Sequence, residues 1–214
     1  MKINYSDYNG VGQIISKVWP GLNAAFKKLK LHVKGSDQAG IQGNLIFDPV
    51  GTNETLKKLL VPKGWKSGVP IRQLKAFGIN IDFEKQGVIL ECQFSNYPFL
   101  MNNVARSHVF SKQGIKFNGH VPKALIVVTK CKVFPASNST LYYEQGKAQL
   151  DALAQLGAFD LPIRLVGLSE DVGSRVRCMH TNYSAARYSR TVVKAKEKEC
   201  VVEASGARAR LRFA

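Results

Sequence analysis

Two stretches of the chain are apolar on both faces: Ala124-Leu125-Ile126-Val127-Val128-Thr129, and Pro162-Ile163-Arg164-Leu165-Val166-Gly167-Leu168 apart from its arginine. A half-exposed strand alternates apolar and polar side chains, because successive residues point to opposite faces. A run without alternation belongs to a central strand covered on both sides. These two runs therefore demand a sheet flanked by helices. The segment between them supplies one such helix: residues 141–156 are rich in helix formers and follow the turn-like Pro135-Ala136-Ser137-Asn138-Ser139.

Other elements complete the layers. Leu22, Ala25, Phe26 and Leu29 recur at helical spacing after Pro20-Gly21. Thr52 or Asn53 can cap a short helix whose apolar positions are Leu56, Leu59 and Leu60, and Pro62, Gly64, Gly68 and Pro70 mark a loop. A further helix starts at Pro98 and runs through Asn103, Arg106 and Phe110. A strand pair is expected over 78–83 and 88–94. The expected fold is α/β, with a mixed central sheet of at least four strands over residues 1–170. After Asp171 the pattern loosens into short β-prone pieces and a basic end, Arg208-Ala209-Arg210-Leu211-Arg212, so 171–214 is expected to form a β-rich C-terminal lobe and tail.

Charge narrows the partner. Lys+Arg outnumber Asp+Glu 31 to 15, a formal net charge of +16, and a surface of that sign attracts a polyanion, nucleic acid first among them. No apolar run approaches the ~20 residues of a membrane span, and Met1-Lys2-Ile3-Asn4-Tyr5-Ser6-Asp7 lacks a signal-peptide core. A soluble cytoplasmic protein with no membrane partner is expected. Cys92, Cys131, Cys178 and Cys200 are scattered without a C-x-x-C pair, so the sequence indicates neither a zinc ribbon nor a disulfide framework.

The chemistry is concentrated in the strand pair. Alternation puts Ile79, Ile81 and Phe83 on one face and Asn80 and Asp82 on the other; on the second strand, Ile89, Glu91 and Gln93 oppose Val88, Leu90, Cys92 and Phe94. If the four-residue turn Glu84-Lys85-Gln86-Gly87 pairs Phe83 with Val88, Asp82 lies across from Ile89. Glu91 is then its diagonal neighbour, with Cα atoms roughly 7–8 Å apart. Two carboxylates so placed suit Mg²⁺, a hard cation that keeps several waters and takes phosphate oxygens. The same spacing also fits two solvated acids on a half-exposed hairpin.

Beyond composition and spacing, the hairpin and its surroundings have a family likeness. Asp82 followed by Glu91-Cys92-Gln93 resembles the Asp…(Glu/Asp)-x-Lys signature of the PD-(D/E)xK nucleases. Phe47-Asp48-Pro49-Val50-Gly51-Thr52-Asn53, Gln93-Phe94-Ser95-Asn96-Tyr97-Pro98-Phe99-Leu100, Phe134-Pro135-Ala136-Ser137-Asn138-Ser139 and Arg187-Tyr188-Ser189-Arg190-Thr191 resemble, in order, the BglII-type restriction endonucleases. The similarity runs from Met1 to about Lys194. It implies a restriction-endonuclease-like core with a small β subdomain, a homodimer around double-stranded DNA, and Mg²⁺-dependent cleavage of a palindromic GATC-centred hexamer, AGATCT ahead of a relaxed RGATCY site or another GATC-centred hexamer, leaving four-base 5′ overhangs. It also implies roles: Asp82 and the Cys92 carbonyl as metal ligands, with Glu91 and Gln93 as the other cleft residues. Ser95, Asn96, Asn138, Ser139, Tyr188 and Arg190 fall where the family reads base edges. Asn and Arg suit that task, since the amide pairs two ways with adenine and the guanidinium fork with guanine. Asn96 and Asn138 also suit turns. Two departures stand out: Gln93 replaces the lysine of most PD-(D/E)xK nucleases, and Lys66-Ser67-Gly68 replaces an asparagine-containing stretch. A repair or junction-resolving nuclease and a non-catalytic DNA-binding module are the rival readings.

Overall fold

The two doubly apolar runs form adjacent parallel strands in the middle of the larger of two sheets. The structure is a computed structural model that describes every residue except 186–188 and 207, and of 208 the backbone alone. In chain order its elements are β1 (Lys2–Tyr8), α1 (Val11–Ile14), α2 (Trp19–Lys28), β2 (Leu31–Gly35), β3 (Leu45–Phe47), α3 (Pro49–Leu60), β4 (Lys66–Pro70), β5 (Asn80–Lys85), β6 (Val88–Cys92), α4 (Tyr97–Lys112), β7 (Ala124–Lys130), α5 (Tyr143–Gln155), β8 (Ile163–Ser169), β9 (Arg175–Tyr183), β10 (Val192–Ser205) and β11 (Arg208–Phe213). The larger sheet has the order β1-β8-β7-β6-β5-β4; β6, β7 and β8 are parallel and the outer pairings antiparallel. It is the mixed, helix-flanked sheet expected.

Every residue of β7 is buried, and its alternate side chains enter different cores. Ile126 and Val128 pack with Leu22, Phe26, Leu56 and Leu60 from α2 and α3, whereas Leu125 and Val127 pack with Leu100, Val104 and Leu150 from α4 and α5. Each such side chain contributes roughly 1.5–3 kcal/mol on leaving water, which is why a central strand tolerates no alternation. Arg164, the one charge in the β8 run, is accommodated by a fork. Its Nε and one terminal nitrogen donate to the two oxygens of Asp7 at 2.6 and 2.5 Å, and the guanidinium lies over the rings of Trp19 and Tyr5.

Gly167 in the same strand is required by close packing. A Cβ there would lie 2.6 Å from both Cys131 Sγ and Tyr143 Cβ. Gly167→Ala is therefore expected to destabilise the fold by about 1–3 kcal/mol, the usual cost of overpacking, as a lowered urea midpoint with an unchanged slope. A midpoint equal to the wild type would show that α5 can shift freely.

Several local expectations change. The helix expected to be capped by Thr52 or Asn53 begins earlier: Asp48 is the N-cap, its carboxylate accepting from the Val50 N–H, with Pro49 at the first turn. The turn-rich stretch around Gly68 is the edge strand β4, where Pro70 is tolerated because it closes the strand's end. The second sheet is a closed barrel, β10-β11-β3-β2-β9, in which the C-terminal strands are completed by β2 and β3 from the first quarter of the chain. Closure removes the exposed edges that a lone C-terminal sheet would present.

The barrel also overturns the cysteine reading, because Cys178 and Cys200 form a disulfide. Cys178 pairs with Lys198 and Cys200 with Val176, so the two cysteines are diagonal neighbours inside the barrel, 22 residues apart in sequence. No short-range spacing announces such a pair. No helix among the described residues is long and apolar enough to cross a membrane.

Candidate active site

The hairpin that carries the acids is tighter than the sequence suggests. Gln86 and Gly87 both have positive φ, 52° and 79°, as a two-residue turn requires. The register is accordingly Lys85↔Val88, Glu84↔Ile89 and Phe83↔Leu90, displaced by two residues from Phe83↔Val88. A two-residue displacement keeps every side chain on its expected face, since the pleat repeats every two residues. It brings Asp82 level with Glu91 instead of Ile89, so the acids become direct neighbours. The Cys92 N–H donates to Asp82 Oδ2 at 2.8 Å, fixing the aspartate at the end of the hairpin.

The two carboxyls occupy unlike surroundings. Asp82 is open to solvent on one side, yet the protein crowding it raises its pKa, against the opposing pull of the Cys92 N–H and the Arg106 charge. Glu91 is 3% exposed, and burial pushes its carboxyl up to about 8 even though Arg106 favours the ionised form. The Arg106 guanidinium, from the middle of α4, donates to Glu91 Oε1 at 2.6 Å and to the Phe77 carbonyl at 3.3 Å. The Cys92 thiol is held well above its ordinary range by burial and by both acids, so its sulfur is no nucleophile.

Among the described residues no group of three or more His, Cys, Asp or Glu is placed to hold a metal ion. The two adjacent carboxyl groups that line the cleft offer hard oxygen donors. Such a set fits a cation that completes its shell with water and phosphate, and it does not fit zinc.

Asp82, Glu91, Cys92 and Gln93 line one wall of a cleft of about 840 Å³. Ser95, Asn96, Asn138, Ser139 and Arg190 line the same cleft, so it collects every described residue expected at the site. Tyr188 lies outside the described residues. Gln93 Nε2 donates to Ser95 Oγ at 2.5 Å, tying the acid-bearing strand to the following loop. Asn96 sits at the N-cap of α4 but does not cap it; its Oδ1 accepts from Thr140 Oγ1 at 3.2 Å. Asn138 has a left-handed backbone, φ 48°, and its N–H donates to Gln38 Oε1 at 3.0 Å, so turn chemistry and an exposed amide coexist in this residue. Ser139 is otherwise engaged: its Oγ lies 2.7 Å from the carbonyl oxygens of Phe94 and Ser95. Arg190 is exposed, and its charge reaches Asp82.

Sequence reasoning missed Arg106 as a site residue and missed Lys130 and the Tyr183–Asp48 contact altogether. Arg106 was legible only as one position of a helix. Tyr183 ends β9 and donates to Asp48 Oδ2 at 2.7 Å, anchoring the start of the segment that carries Arg190 to the N-cap of α3. Lys66-Ser67-Gly68 lies in β4, paired with β5, and Gly68 has φ 60° with open space where a Cβ would stand; none of the three is among the residues that line the cleft.

The surrounding fold has close relatives. The family model described as restriction endonuclease BglII/BglIII matches residues 5–168. The type II restriction enzyme BglII of Bacillus subtilis is 48% identical over 196 residues, 91% of this chain and 88% of the relative. The crystal structure of restriction endonuclease BglII complexed with a DNA 16-mer superimposes with a TM-score of 0.96 at 43% identity, covering 100% of both chains. Free BglII, at 42% identity and the same coverage, gives a TM-score of 0.80, so this chain has the arrangement of the DNA-bound relative. Two adjacent acids at a hairpin end, lining a cleft within this fold, agree with these matches: the chain belongs to the BglII family of type II restriction endonucleases.

Proposed function

We propose that this restriction enzyme binds double-stranded DNA as a homodimer and hydrolyses AGATCT in a Mg²⁺-dependent reaction that leaves four-base 5′ overhangs, acting in the cytoplasm. The observation that carries the reading is the convergence of Asp82 and Glu91 with Asn96, Asn138 and Arg190 on one cleft, in a chain that shares the arrangement of a DNA-bound relative. A palindrome presents the same half-site twice, which a two-fold symmetric pair of identical surfaces matches. Residues 1–170 carry cleavage and part of the base reading; 171–214 contribute Tyr188, Arg190 and the basic strands that contact flanking phosphates.

Asp82, Glu91 and the Cys92 carbonyl would hold Mg²⁺, which when bound neutralises charge on the phosphoryl oxygens and acidifies water. The protein's own groups then have distinct tasks. Asp82 presents its carboxylate to the cleft. Arg106 fixes the orientation of Glu91 and offsets its charge. Gln93, a neutral amide, neither accepts nor delivers a proton, so it orients neighbours and links the cutting strand to Ser95. Ser95, Asn96, Asn138, Tyr188 and Arg190 present donors and acceptors to base edges, each good bidentate pair being worth roughly 1–3 kcal/mol of discrimination, while Ser139, whose hydroxyl is engaged within the protein, reaches the duplex through its backbone.

Digesting a plasmid of known sequence with Mg²⁺ and sequencing the ends tests this. Discrete fragments with GATC 5′ overhangs at AGATCT are expected. A smear, structure-dependent nicking, or cutting that persists in excess EDTA would contradict the proposal.

A further inference from the structure

A lysine closes β7, at the end of a strand whose other side chains are nearly all apolar. Lys130 is 1% exposed. Burying an ammonium is costly unless its donors are matched, and apolar side chains in such a place commonly give equal or better stability. Its surroundings therefore indicate what a charge is needed for.

The Lys130 Nζ donates to the Phe94 carbonyl at 2.9 Å, to Ser139 Oγ at 2.7 Å and to the Leu141 carbonyl at 2.8 Å, and it lies 4.5 Å from the centre of the Tyr142 ring. Phe94 precedes Ser95 and Asn96, while Ser139 and Leu141 follow Asn138. One ammonium thus holds two loops that are distant in sequence. Backbone bonds complete the clasp: the Thr140 and Leu141 N–H groups both donate to the Ser95 carbonyl, at 3.1 and 2.9 Å. Ser139 Oγ meets the Phe94 and Ser95 carbonyls, and Thr140 Oγ1 meets Asn96 Oδ1. An ammonium has three donors on a flexible stem, so it can satisfy acceptors from two strands at once where a planar fork or a single amide cannot.

We propose that Lys130 is a specificity-determining positioning residue. It locks the 94–96 and 138–141 segments into one relative placement, so that Asn96 and Asn138 meet the duplex as a single rigid surface. Lys130 itself touches no base. The inference rests on the reading above that these segments contact bases, and it adds that their discrimination depends on a buried cation behind them. A hydrogen-bonding amide displaced by about 1 Å keeps contact with the cleft but loses its paired geometry, which is the condition for losing specificity before affinity.

The test is Lys130→Met, of similar length and without donors, in the full-length dimer. Two quantities are read: the ratio of cleavage rates at AGATCT and at sites with one altered base, and amide hydrogen exchange. The ratio should fall about tenfold or more, the value of one bidentate pair. The Thr140 and Leu141 amides should exchange at least about tenfold faster while the β7 amides change little, since local opening need not follow global stability. A purely structural role would instead speed all amides by one factor and slow both kinds of site equally, and that outcome overturns the proposal, as does an unchanged ratio. If Lys130→Met does not fold, Lys130→Gln carries the same two readouts; failure of both to fold makes Lys130 a folding residue and also overturns it. Asn96→Ala and Asn138→Ala are assayed alongside. If they leave the ratio unchanged, the base-reading assignment itself is wrong; if they lower it and Lys130→Met does not, only the role of Lys130 falls.

Discussion

Asp82→Ala is expected to reduce plasmid cleavage by at least about a thousandfold while specific binding to an AGATCT duplex stays within a fewfold of the wild type. The loss follows from removing the solvent-open carboxylate of the pair; a site cation contributes several kcal/mol of charge stabilisation, and each 1.36 kcal/mol is tenfold in rate. Binding survives because the cation site is local, whereas affinity for duplex DNA comes chiefly from phosphate contacts over a basic surface, here with a net charge of +16. Deleting one negative charge from the cleft lowers its repulsion of phosphate. Gel-shift titration without metal, beside timed digestion with Mg²⁺, separates the two effects. A variant that cuts at more than about a tenth of the wild-type rate would refute the proposed role of Asp82 as a metal ligand, as tenfold corresponds to only ~1.4 kcal/mol.

The second large effect concerns Glu91 and Arg106. Arg106→Met leaves a carboxyl that is 3% exposed without its guanidinium, and breaking one side of a buried pair costs about 3–5 kcal/mol when the remaining group is charged. Glu91 makes that cost depend on pH. Its pKa in the fold is raised from 4.5 to about 8, so the folded protein binds this proton more tightly than the unfolded chain does. The resulting stabilisation is fully present below about 4.5 and is lost as pH rises through about 8. Asp82 and Glu170, also raised, act in the same direction; His32 and His180, lowered by burial, oppose it below about 6.5 with smaller shifts than that of Glu91, and the lowered carboxyls Asp151, Asp160 and Glu197 are solvent-facing and act below pH 4 to 5. Metal-free protein should therefore unfold at lower urea at pH 8 than at pH 5. Arg106→Met should steepen that fall, and Glu91→Gln, which does not titrate, should flatten it. Equal pH slopes for wild type and Glu91→Gln would show that the Glu91 carboxyl is already ionised throughout.

Much of the fold was legible in the sequence because it rests on periodicity. The β7 and β8 runs, the helix between them and the hairpin each announced themselves through which positions are apolar, and the two clusters on either side of β7 show that pattern at work. The hairpin's register was not legible. Both a four-residue and a two-residue turn keep the same faces, so alternation is blind to the difference, and only the left-handed Gln86-Gly87 pair decides it. The Cys178–Cys200 disulfide and the contribution of β2 and β3 to the barrel were hidden for a related reason: they join residues whose neighbours in sequence carry no sign of the partner.

The sequence alone determined the layered α/β core and the polyanion-seeking charge, since these depend on residue type and local spacing; alternation put the two acids on one face, and the amides of the cleft were singled out only by the family resemblance. Tertiary structure alone decided that Asp82 faces Glu91 directly, that Arg106 pairs with the buried Glu91, and that Lys130 gathers two remote loops. Local patterns fix which way a side chain points. Which distant group it meets depends on how strands pair and layers close, and that is a property of the whole chain at once.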